Sequence, residues 1–190
     1  MTRMLNNFSQ RFIFDKADIR GDLVRLDTTY QEILSAQDYP EVVANLLGEF
    51  LVAGILLGAT IKFKGRLILQ VKSQGLIPLL MVEVTHDRKV RGIARTAADF
   101  KASAPEFDQL FLDGSMAVTI EPDEGERYQS LVPLDGDTLS ICLEHYFAQS
   151  EQLSTSISLT AHEGKAAGML LQQLPKQLVE KDSERETQWQ

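Results

Sequence analysis

Cysteine is almost missing from this chain. The single thiol, Cys142, cannot close a disulfide within the chain, and it rules out both a disulfide framework and a multi-cysteine zinc site. Histidine is nearly as scarce. His86, His145 and His162 stand far apart, none in an HExxH-like spacing, so each reads as a surface or cap residue and not as a metal ligand. Cations are outnumbered, 19 Lys and Arg to 27 Asp and Glu; the formal charge of −8 argues against general nucleic-acid binding. The opening segment MTRMLNNFSQRF lacks the apolar centre of a signal peptide, and a reducing, cytoplasmic setting is the expectation. Gly164-Lys165-Ala166-Ala167-Gly168 lacks Walker spacing and a Ser or Thr after Gly-Lys, so it reads as a hairpin turn. There is no internal repeat and no low-complexity tract, and no Ser-His-Asp or Cys-His pairing follows from spacing.

What the chain has in quantity is one apolar run, Glu41 to Phe63. From Val42 to Ile61 only Asn45, Glu49 and Thr60 are polar. Its apolar residues face every direction of a helical wheel, so a helix here must be covered on nearly all sides. Pro40 suits a first helical position, Asp38 precedes it, and Lys62, Lys64 and Arg66 fall at the far end, where cations are favoured. Gly48, Gly54 and Gly58 each cost up to about 1 kcal/mol against Ala in a helix, which is understandable if other segments press close there. A membrane span needs about 20 mostly apolar residues. A carboxylate at Glu49 is expensive in hydrocarbon, and no second span exists. The buried central helix of a soluble domain is the reading adopted, with no membrane partner.

Around this rod the pattern predicts an α+β fold, a long buried central helix packed against antiparallel β-sheet, with further short helices. Short strands are expected at Phe12 to Phe14 and Ile19 to Leu26, then a helix from Thr29 to Gln37 opened by a Thr29–Glu32 capping box. After Gly65 the period becomes two: strands at Leu67 to Lys72, Leu76 to Thr85 and Lys89 to Arg95 form an antiparallel meander. Pro105 opens a short helix with Phe107, Leu110 and Phe111 on one face. Ser115 to Glu121 and Arg127 to Leu134 make a hairpin, Asp137 caps a helix to about Gln149, and Thr155 to Thr160 with Ala166 to Gln173 make a last hairpin. Residues 1–175 are the core domain; residues 176–190 form a charged tail, helical or disordered.

Several residues admit a chemical reading beside a plain one. Cys142 lies on an inward helix face without a basic neighbour, so a buried structural thiol is preferred to a nucleophile. The cluster Arg88, Lys89, Arg91 and Arg95 reads as a solvated strand face and not as a nucleic-acid site. Glu49 is either a perturbed catalytic carboxylate or, the favoured reading, a buried structural partner to an arginine or backbone donor.

The order of blocks goes further. Ile19-Arg20-Gly21-Asp22-Leu23-Val24-Arg25-Leu26 precedes Tyr39-Pro40, then Leu46-Leu47-Gly48-Glu49, Ala59-Thr60-Ile61-Lys62-Phe63-Lys64-Gly65 and Leu67-Ile68-Leu69-Gln70. Arg91-Gly92-Ile93-Ala94, Tyr128-Gln129-Ser130-Leu131-Val132-Pro133-Leu134, Gln149-Ser150-Glu151-Gln152-Leu153 and Ala167-Gly168-Met169-Leu170-Leu171-Gln172 follow. From Phe8 to Pro175 the chain resembles the redox-regulated holdase chaperones of bacteria, the thirty-three-kilodalton chaperonin family.

The resemblance implies an ATP-independent chaperone that captures unfolding proteins under oxidative and heat stress, and that tends to form a homodimer, including by exchange of elements. It also implies a C-terminal module whose C-x-C and C-x-x-C pairs hold zinc and switch on oxidation. Those cysteines are absent here, so the chain reads as a truncated form ending at the start of the linker. No catalytic, cofactor-binding or metal residue is assigned, and zinc is expected only with the missing module. Holding a client requires exposed apolar surface and no nucleophile. The sheet and the helix bearing Phe107, Leu110 and Phe111 are the expected client-binding surface. An enzyme with a pocket around Glu49 and a passive dimerisation scaffold are the alternatives.

Overall fold

The structure is a computed structural model that describes residues 7–14, 17–61, 64–98, 100–101, 105–150 and 152–174. The central rod is α2 (Glu41–Thr60). It is buried from Val43 to Leu57 along its length, as an all-round apolar helix requires. By length and composition it could cross a membrane, but here two antiparallel sheets enclose it.

The first sheet has four strands: β1 (Asn7–Ile13), β2 (Ile19–Leu26), β8 (Thr155–His162) and β9 (Lys165–Gln173), in the order β1-β2-β9-β8. The second has five: β3 (Gly65–Lys72), β4 (Leu79–Thr85), β5 (Val90–Arg95), β6 (Ser115–Pro122) and β7 (Tyr128–Pro133), in the order β5-β4-β3-β6-β7. The expected three-strand meander is therefore extended by the next hairpin, and the first and last hairpins close into one sheet through β2 and β9. Pro78 stands just before β4, where its missing N–H costs no ladder bond.

Helices α1 (Thr28–Leu34), α3 (Phe107–Leu110) and α4 (Leu139–Ser150) pack at the margins. Val24, Leu170, Ile157 and Ala161 reach α2 from one sheet and Leu67, Leu69, Leu80, Val82 and Val118 from the other. A Cβ on Gly48 would lie 2.7 Å from the Ala161 Cβ and Tyr30 Cζ, and one on Gly54 would lie 2.8 Å from Val84 Cγ2. The two glycines thus let a strand and a tyrosine reach the helix backbone.

Several local details differ from the sequence reading. The Thr29–Glu32 capping box does not form. α1 begins at Thr28 behind Asp27, whose carboxylate is taken by Arg25 at 2.9 and 3.0 Å, while the Thr28 and Thr29 hydroxyls accept from Asn7. A capping box forms instead at Glu106 and Gln109 of α3. The residues after Leu34 tighten into bonds to the third residue back, which ends α1 before Gln37. Pro40 is the residue before α2, not its first turn. Thr138, not Asp137, caps α4, accepting from the Ile141 N–H at 3.3 Å. The cation at the C-terminal end of α2 is Arg11 of β1, whose guanidinium donates to the Ala59 carbonyl. Arg66 turns away to Glu121 and Glu83, and Lys62 lies outside the described residues, as does the expected tail from residue 176.

Candidate functional site: two bare sheet faces

Each sheet uses alternate side chains against α2, so each has a second face of the remaining residues. Among the described residues no helix covers either outer face: α1, α3 and α4 sit at strand ends and edges. The strand register gives both faces row by row.

On the five-stranded sheet the middle row runs Ile93, Met81, Gln70, Ala117, Leu131 across β5, β4, β3, β6 and β7. One row to one side is Arg95, Leu79, Lys72, Ser115, Pro133; one row to the other is Arg91, Glu83, Ile68, Thr119, Gln129. Leu131 is 65% exposed and Ile93 38%, while Leu79, Met81 and Ile68 are half-buried with no layer above them. Glu83 is only 8% exposed and is held by Arg91 at 2.7 Å and Arg66 at 3.6 Å.

On the four-stranded sheet Phe12, Gly21, Leu171 and Ser156 form one row, and Gln10, Leu23, Met169 and Ser158 the next. The Phe12 ring lies over Gly21, where a Cβ would stand 2.1 Å from Cζ, and it meets Phe14 edge to face at 5.7 Å. Ile13 and Phe14 are 59% and 47% exposed at the end of β1. This face is apolar with almost no charge; the other is apolar with a cationic border.

The surface expected at Phe107, Leu110 and Phe111 is not built that way. Leu110 and Phe111 are 4% and 2% exposed, because the Phe111 ring packs edge-on against Phe50 of α2 and Phe107 at 6.0 and 5.2 Å. Phe107 is half-buried against the same cluster, and only Leu112 beside them is exposed. The residues that sequence reading passed over are Ile68, Leu79, Met81, Ile93 and Leu131. Their signal was there: in a strand whose alternate positions are core, an apolar residue at an intervening position has a bare face to explain.

Glu49 is half-buried on α2, and the arginine or donor expected for it is missing: among the described residues no ion pair or hydrogen bond reaches it. Burial pushes its carboxyl up to about 7, so near neutrality about half of it is carried as the uncharged acid, which lowers the need for a paired cation. Burial, helped by Glu49, also pushes the Tyr30 hydroxyl up to about 12, and that hydroxyl donates to the Ala44 carbonyl. Glu49 lines none of the surface clefts of about 310, 400 and 450 Å³ formed among the described residues.

Cys142 is buried, with its thiol pushed up by desolvation and bonded to the backbone of Gly136. That makes it an unreactive thiol. His86 Nδ1 accepts from the Gly65 N–H, His145 lies 3.5 Å from Asp135, and His162 lies 3.8 Å from Glu41 and Glu163. Among the described residues no three His, Cys, Asp or Glu side chains stand together as a metal site would require, so these residues do not fit the family's zinc. Of the basic cluster, Arg91 and Arg95 stand on the outer sheet face, while Lys89 pairs with Asp87 and Arg88 reaches the Ser9 carbonyl of the other sheet.

The comparisons agree with the fold. The family model described as Hsp33 protein matches residues 7–190. The chain is 48% identical over 183 residues to the 33 kDa chaperonin of Pseudomonas fluorescens, covering 96% of this chain and 61% of that protein. It is 50% identical over 184 residues to the 33 kDa chaperonin of Pseudomonas putida KT2440, covering 97% and 62%. The chain thus spans about 61% of the length of these curated relatives. The crystal structure of the 33 kDa chaperonin of Thermotoga maritima superposes with a TM-score of 0.69 over 87% of this chain and 60% of that one. At 22% identity that likeness speaks for the fold alone.

Proposed function

The chain belongs to the Hsp33 family, and from that premise we propose that it acts as an ATP-independent holdase, binding unfolding proteins on its bare sheet faces. The observation that carries the reading is the sheet–helix–sheet layering, which leaves apolar residues of both sheets facing outward without a covering layer among the described residues. Water-exposed apolar side chains of an unfolding protein can be removed from solvent there at about 25 cal/mol per Å² of apolar area, with no chemical step. The cytoplasm is the proposed location, and the unpaired edges of β1, β5, β7 and β8 support self-association as a homodimer. The redox response of the family is proposed for the full-length protein, at thiols other than Cys142, whose burial keeps it protonated and inert.

Light scattering of a heat-denatured client without nucleotide tests the reading. An excess of the chain should suppress the signal. The double substitution Ile93→Ser and Leu131→Ser, at exposed positions that leave the core intact, should weaken that suppression several-fold. Scattering unaffected by excess chain would reject the function.

A further inference from the structure

Averaged over the chain, charge is negative, with 27 acids to 19 Lys and Arg. The outer face of the five-stranded sheet reverses this. Arg66, Lys72, Arg91 and Arg95 stand on it, with Arg127 and the Lys89–Asp87 pair at its border, against the carboxylates Glu83 and Glu121, and Asp123 lies beside Arg66 in the cleft at that end. Both carboxylates are already engaged: Glu83 by Arg91 and Arg66, Glu121 by Arg66 at 2.7 Å and Arg127 at 3.6 Å. Lys72 and Arg95 are exposed and have no carboxylate within ion-pair distance among the described residues. In the register they flank Leu79, Arg95 from β5 and Lys72 from β3, one row from Met81 and Ile93. The acidic turn 123–126 lies past the opposite end of the sheet, beyond Pro122. A segment lying across the strands with apolar side chains on Ile93, Met81 and Leu131 would bring its neighbouring side chains to Lys72 and Arg95.

We propose that this face selects apolar client segments interspersed with acidic residues. The proposal rests on the client-binding reading above and adds the chemistry of what is held. The apolar row supplies the adhesion, and the two free cations supply the preference, since two like charges facing a basic segment disfavour it. The net charge of the whole molecule would by itself favour basic segments, so the two origins give opposite orders.

Fluorescence anisotropy of the full chain, with labelled unstructured peptides of one apolar composition interspersed with Asp, Ser or Lys, separates them. The Asp peptide should bind tightest and the Lys peptide weakest, with the gap closing as salt is added. The double variant Lys72→Glu and Arg95→Glu should lose about fivefold to tenfold for the Asp peptide, the scale of two exposed ion pairs, and stay within about twofold for the Ser peptide. Lys72→Gln with Arg95→Gln should lose about half as much on a logarithmic scale. Circular dichroism of each variant should match the parent, because both side chains are solvent-facing. Equal binding of all three peptides, or a Lys peptide that binds best, overturns the selectivity and leaves client binding standing. Failure of all three to bind, with no suppression of aggregation, overturns both. An Asp peptide displaced by a single-stranded oligonucleotide at equal concentration, or excluded as the chain self-associates, overturns the assignment by showing another occupant.

Discussion

Glu49 shows how one side chain can be read correctly as buried and wrongly as paired. Its carboxyl is shielded on the core helix, and the shift from 4.5 to about 7 comes from burial. The folded protein keeps a proton that the unfolded chain releases. The stability this contributes is fully present below about pH 4.5 and is lost as pH rises through about 7. Glu49→Gln replaces the neutral acid by a neutral isostere. In urea unfolding the variant should match the parent near pH 4.5 and exceed it by roughly 2 kcal/mol at pH 8, less than the full value of the shift because the carboxyl keeps some water. Equal pH dependence in both proteins would show that the carboxyl titrates normally. Gly48 and Gly54 were legible as close-approach sites, but not what approaches them, because Tyr30, Ala161 and Val84 come from distant parts of the chain.

Elements were easier to read than their ends. The strand Ile19–Leu26 agrees with the sequence reading to the residue, and the central helix starts at Glu41, one residue after the expected Pro40. One cap failed where another partner competed, since Arg25 takes the Asp27 carboxylate, and at the end of α2 the Arg11 guanidinium reaches the Ala59 carbonyl while the expected Lys62 lies outside the described residues. The last hairpin depends on its turn. His162 pairs with Lys165, leaving the two-residue loop Glu163-Gly164 with φ of +47° and +71°. Positive φ at both positions is a type I′ turn, which suits Gly at the second and strains Glu at the first. Glu163→Asn should therefore stabilise the fold by about 0.5–1 kcal/mol, raising the thermal midpoint by a few degrees. An unchanged or lowered midpoint would contradict the turn assignment.

At the scale of the molecule, the layering of sheet, helix and sheet makes α2 the element that must be released last. Native-state hydrogen exchange should find the amides from Leu46 to Leu57 opening only with global unfolding, while those of the edge strand β7 exchange by local fraying. Sub-global exchange along α2 would mean that one sheet detaches from it. The same layering explains why, of the expected surface, Leu110 and Phe111 are buried while the outer sheet faces keep exposed apolar residues. A four-residue helix cannot bury an aromatic pair by itself, and the nearest apolar partner is Phe50 of the rod. A sheet that already buries one face against the rod finds no further apolar layer for the other among the described residues.

The sequence by itself determined that a helix apolar on every side lies at the centre, that alternating strands surround it, and which block order marks the family. Those are properties of local period and of linear order. Tertiary structure decided the pairing of β2 with β9, the insertion of β6 beside β3, and so which outward side chains share a face. It also decided that Lys72 and Arg95 end up beside Leu79 without an acid, among the described residues, to neutralise them. The physical reason is that a strand's own residues fix what it presents on each side, whereas its neighbours are chosen by the whole chain's search for cover over one greasy rod.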